Sequence, residues 1–102
     1  MTKIIKEMVN KINKKKLDSE LQNLSFDLWD QYYMVSKKYS KKLISTTEAI
    51  TMFETMYQYG LSLFKKITNK YAVENDPNLY PGIERTLTSV KTKVSNLRGL
   101  II

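Results

Sequence analysis

Apolar residues recur at helical spacing almost from end to end of this chain, and no run alternates with period two for long enough to predict a strand. Ile4, Ile5, Met8, Val9 and Ile12 form a two-column stripe that predicts a helix over residues 2–15, closed by Lys14-Lys15-Lys16. A second helix over 19–40 opens at Asp18 or Ser19, with Gln22 as the capping-box partner of Ser19. Its main stripe is Leu21, Leu24, Leu28, Tyr32, Val35 and Tyr39. A second column of Phe26, Trp29 and Tyr33 widens the apolar arc, as expected of a helix touching two neighbours.

Ser45-Thr46-Thr47-Glu48 is a capping box that opens a third helix over 46–72, whose buried face runs from Ile50 and Phe53 through Gly60 to Phe64 and Tyr71. Gly60 lies within that face. It either admits a second helix at close range or marks a bend. Both prolines fall in the break Glu74–Gly82, and Pro81 suits the first turn of a fourth helix over 81–98. Ile83, Leu87, Val90, Val94 and Leu97 give that helix a seam spaced 4-3-4-3, and Gly99 is placed to cap it. Four amphipathic helices with mostly short connections predict an all-α protein, an antiparallel up-and-down four-helix bundle in one domain spanning 1–102.

Composition narrows the chemistry. The 102 residues contain no Cys and no His, which removes disulfides, thiol nucleophiles, the usual zinc sites and every His-based triad. Three glycines form no phosphate loop, and the carboxylates Asp27, Asp30, Glu48 and Glu54 sit on outer faces, so no catalytic, cofactor-binding or metal-ligating residue is expected. The net charge of +7 comes almost entirely from Lys, with Arg only at 85 and 98. Because Arg forks onto phosphates and base edges, this balance disfavours specific nucleic-acid recognition. The N-terminal apolar positions are interrupted by Lys6, Glu7 and Asn10, and no stretch reaches membrane-span length, so a cytoplasmic chain is expected.

Two groups of residues are candidates for a binding surface. Lys14, Lys15 and Lys16 and Lys65, Lys66 and Lys70 each close a predicted helix, where the helix dipole alone accounts for them. In an up-and-down bundle the same residues meet at one pole, which could face anionic lipid or an acidic partner. The second group is the apolar tail Leu100, Ile101 and Ile102, expected to fold back onto the core or, if free, to form a contact patch rimmed by Arg85, Lys91 and Arg98. The aromatic residues at helical spacing read as core, with Tyr59 and Tyr80 outside the stripes and assigned to the surface.

The basic charge, the absence of Cys, the long helix from Thr46 to Lys70 and the Pro-containing turn before a last helix with a short tail resemble the bacteriocin immunity proteins of Gram-positive bacteria, of the enterocin A immunity type. The resemblance implies an antiparallel four-helix bundle that protects a producer cell from its own pore-forming peptide. It further implies a membrane sugar permease with bound bacteriocin as the partner, and specificity in the C-terminal half. On that likeness Arg85, Lys91, Arg98, Leu100, Ile101 and Ile102 become the recognition surface, near the membrane. Two other readings stay open on the residues alone: a small basic nucleic-acid-binding or regulatory protein, and a homodimer that buries surplus aromatics.

Overall fold

The expected break between the first two helices does not exist. In the computed structural model, which describes the backbone of residues 2–101 and the side chains of 11–101, a single helix α1 runs from Thr2 to Ser40. Lys14-Lys15-Lys16-Leu17-Asp18-Ser19 contains no Pro or Gly, and Lys and Leu are good helix formers, so nothing obliges the chain to stop. What changes there is the phase of the apolar stripe. Leu17 is buried and Ile12 exposed, and five residues turn about 140° around a helix. A shift of face thus resembles a helix boundary in the sequence. The fold is all-helical but has three long helices rather than four, with no strand among the described residues.

After α1 come α2 from Thr46 to Lys70, a short 3-10 turn at Pro77–Leu79, and α3 from Pro81 to Leu100. The capping box at α2 forms as expected: the Glu48 N–H donates to Ser45 Oγ at 3.1 Å and the Ser45 N–H donates to Glu48 Oε1 at 3.2 Å. Pro81 occupies the first turn of α3. Gly99 does not cap that helix. It lies within the last turn, and Ile101 is the terminal cap, its N–H bonded to the Arg98 carbonyl.

Tyr39 with Thr46, Tyr32 with Phe53, and Glu20 with Lys70 run in opposite order along α1 and α2, so the two are antiparallel. Phe64 stacks edge-on against Tyr80, and Arg98 pairs with Glu54, so α2 and α3 are antiparallel too. Ser25 ties α1 to α3 through the Gly82 carbonyl at 3.2 Å and the Thr86 hydroxyl at 3.3 Å. The result is an up-down-up rod of 63 × 21 × 17 Å, its length set by α1, whose 39 residues span about 58 Å.

One core joins all three helices: Leu17, Leu21, Leu24 and Leu28 of α1, Ile50, Phe53, Met56 and Phe64 of α2, and Ile83, Leu87, Val90 and Leu97 of α3. These are the predicted stripes, with Leu17 added. The second column of α1 is not core, since Phe26 and Tyr33 are exposed and Trp29 only half-buried. Tyr80, assigned to the surface, is half-buried against Phe64. Gly60 is a close-approach site: a Cβ there would stand 2.8 and 2.9 Å from the two Cδ atoms of Leu28.

Both α1 and α2 end in the same six-residue cap. The Leu43 N–H reaches the Lys38 carbonyl and the Lys42 N–H reaches Tyr39. Val73 reaches Thr68 and Ala72 reaches Asn69 in the same way. This Schellman arrangement places one residue in the left-handed region, where Gly is usual, and here those residues are Lys42 at φ 60° and Ala72 at φ 53°. A left-handed non-glycine residue costs about 1–2 kcal/mol, part of which Gly returns as unfolded-state entropy. Ala72→Gly should therefore stabilise the protein by about 1 kcal/mol, raising the melting temperature by roughly 4–8 °C. A lower melting temperature would show that the cap does not form as described.

Candidate functional site

The two candidate surfaces fall at different levels of the rod. Lys14, Lys15 and Lys16 are exposed in the interior of α1, not at a helix end, so the dipole explanation fails for them. It holds for Lys70, in the last turn of α2. Lys65, Lys66 and Lys70 are all exposed on the final turns of α2, which pack beside α1 near Glu20. Lys70 reaches Glu20, one turn beyond Lys16, so the two runs stand at neighbouring levels on the flank of the rod and not at the expected pole, because α1 continues past Lys16.

A small electrostatic cluster centres this region. Lys70 Nζ stands 3.1 Å from Glu20 Oε1 and 5.3 Å from the centroid of the Tyr71 ring. The Tyr71 hydroxyl, then the Lys70 ammonium and more distantly Lys16, hold the Glu20 carboxyl below the usual carboxylate range. In return, Glu20 raises the pKa of both Lys70 and Tyr71. Lys70 is exposed and Glu20 and Tyr71 are half-buried, so the cluster orders the surface more than it stabilises the fold. Glu20 and the exposed Asp18 lie among these lysines, and Glu74 and Asp76 follow in the loop after α2, so the positive charge of the region is partly neutralised.

The second surface is the end of α3. Leu97 is buried and closes the core, while Leu100 is 70% and Ile101 55% exposed. The expected fold-back therefore does not occur at these two positions, and Ile102 lies outside the described residues. The rim is smaller than expected. Arg98 reaches across to Glu54 on α2, and Lys91 borders shallow hollows beside Tyr57 on the same side. Arg85 is exposed on α3 fifteen residues before Leu100, about 22 Å along the axis, too far to rim the tail.

Cations near the tail come instead from a run left out of the expected surface. Ser40 and Leu97 each stand fifteen residues beyond the Ser25–Gly82 contact, on helices that run in parallel. That brings the loop Lys41-Lys42-Leu43, all exposed, to the pole occupied by Leu100 and Ile101. The juxtaposition depends on α1 and α3 pointing the same way, which places their C-terminal ends at one pole of the rod.

A further feature escaped the sequence: an apolar groove of about 500 Å³ between α1 and α2, lined by Met34, Val35, Met52, Met56 and Tyr59 with Lys38 at its edge. Met56 belongs to the core stripe, whereas Met34 and Met52 are exposed outside it. Among the described residues no group of three or more acidic side chains is placed to hold a metal ion. No helix of the described residues is long and apolar enough to cross a membrane. Comparison with protein-family models, curated proteins and solved structures finds no match to this chain.

Proposed function

We propose that this chain is a non-catalytic binding protein of the bacteriocin-immunity kind, protecting its host cell from a pore-forming peptide. In this reading the C-terminal end docks on the cytoplasmic face of a membrane sugar permease that holds the bacteriocin. The observation that carries it is the exposure of Leu100 and Ile101 beyond the last core residue, Leu97, beside Arg98 and at the same pole as Lys41 and Lys42. Large apolar side chains left in water next to cations form a contact patch with a charged edge. The three-helix arrangement departs from the four-helix bundle that the resemblance implies, so the reading rests on this end of the rod and not on the fold.

The basic flank of Lys14, Lys15, Lys16, Lys65, Lys66 and Lys70 would add a salt-sensitive attraction to the anionic inner leaflet and hold the protein near its partner. The test is expression in a sensitive Gram-positive strain challenged with a panel of pore-forming bacteriocins. A selective rise in inhibitory concentration for one peptide is expected, and it should vanish when Leu100, Ile101 and Ile102 are replaced by Ser while helicity is unchanged. Full protection by the triple variant would remove the tail from the mechanism. Uniform sensitivity with abundant folded protein would count against immunity itself.

A further inference from the structure

The outward face of α1, opposite the core, carries a second apolar stripe. Ile12, Ser19, Phe26 and Tyr33 stand seven residues apart and so lie in one column, which in sequence begins at Ile5. All four described positions are exposed: Ile12 is 51%, Phe26 57% and Tyr33 63% accessible, and Met34, beside the column, 59%. The charges that flank the column are segregated along it. Lys15 and Lys16 lie on its N-terminal side, and Asp27 and Asp30 on its C-terminal side.

That distribution is self-complementary in one direction only. We infer that this face of α1 pairs with the same face of a second copy, the two helices antiparallel and the two-fold axis crossing between Ser19 and Asn23. In this register residue i stands level with residue 42 − i of the second copy. Lys16, level with Phe26 of the second copy, then stands one residue from Asp27 on the same flank, twice by symmetry, and Ile12 inserts between Phe26 and Tyr33 of the second copy as a knob into a hole. Ser19 and Asn23, both small and exposed, sit at the axis, where the backbones approach most closely. A parallel in-register pair would instead set Lys15 and Lys16 against their own counterparts, and Asp27 and Asp30 likewise, which like-charge repulsion opposes.

Among the described residues neither charge is held in an ion pair. Glu20, the acid nearest Lys16 on α1, already accepts from Lys70. Asp27 is exposed and receives only the Gln31 amide on one oxygen, at 3.2 Å. The pairing uses α1 and not the C-terminal tail, so it stands independently of the proposed immunity role.

Sedimentation equilibrium on the purified full chain across a concentration series tests the inference. The wild type should associate to a dimer. Lys16→Asp and Asp27→Lys, both at exposed positions, should each weaken dimerisation by about tenfold or more. The double variant K16D/D27K should restore it, because the swapped charges again oppose each other across the antiparallel pair. Circular dichroism establishes that each variant stays helical. A wild type that remains monomeric at every concentration overturns the proposal. So does a dimer indifferent to the single reversals, or one that the double variant fails to restore.

Discussion

Phe53→Ala should cost about 3–5 kcal/mol of folding stability, the range for deleting a fully buried aromatic side chain. Phe53 is completely buried on α2, its ring 5.5 Å from that of Tyr32 on α1, and it belongs to a core only one layer deep. A rod 17–21 Å across has no second shell of side chains that could collapse into the vacancy. Domains of this size have about 5–15 kcal/mol in total, so the variant should sit near the edge of folding, with a melting temperature lowered by roughly 15–30 °C. Tyr59→Ala, on the exposed side of the same helix, is the matched control and should stay within about 0.5 kcal/mol of wild type. Urea denaturation followed by helicity measures both. A loss below about 1 kcal/mol at Phe53 would mean that α1 and α2 do not meet there.

The same geometry explains which parts of the molecule could be read from the sequence. Capping and seam signals are local, so the Ser45–Glu48 box, the first turn at Pro81 and the Ile83–Leu97 seam all appear where the spacing places them. The number of helices is not local. Ser19 and Asp18 are good N-caps but are also tolerated on the outer face of a continuing helix, and only tertiary contact decides between these roles. Ile12 and Leu17 stand about 140° apart around one helix, so a change of face within α1 reads as a boundary between two helices. Phe26 and Tyr33 were misassigned for the same reason: they belong to the outer stripe, not to a widened inner one. Tyr80 failed differently, because its burial depends on the 3-10 turn at Pro77–Leu79 folding it against Phe64, a contact sixteen residues away in sequence. At the candidate site, the exposure of Leu100 is a property of the packed helices, and its sharing a pole with Lys41 and Lys42 follows from the parallel course of α1 and α3.

Gly60 and Leu28 should show a reversal of sign that no local property can produce. On its own, Gly60→Ala adds about 1 kcal/mol of helix propensity to α2, yet the new Cβ would lie 2.8 and 2.9 Å from the Leu28 methyls. Leu28 is 1% exposed and surrounded by core, so its methyls move only by disturbing their neighbours, at about 1–3 kcal/mol. The single variant should therefore be destabilised by about 1–2 kcal/mol despite the better helix former. Leu28→Ala alone opens a cavity and should cost about 2–5 kcal/mol. In that background the obstruction is gone, and a Cβ at position 60 points into the vacated space. Gly60→Ala should then stabilise by about 1 kcal/mol, giving a coupling of roughly 2–3 kcal/mol between two residues 32 positions apart in sequence. Denaturation midpoints for the four proteins close the cycle. If Gly60→Ala stabilises in both backgrounds, glycine is not needed for the approach of α1 to α2. If it destabilises equally in both, the cost lies in the backbone of α2, as a bend at that residue would require. Only the reversal assigns to this one glycine the spacing that lets Leu28 and Phe53 share a core.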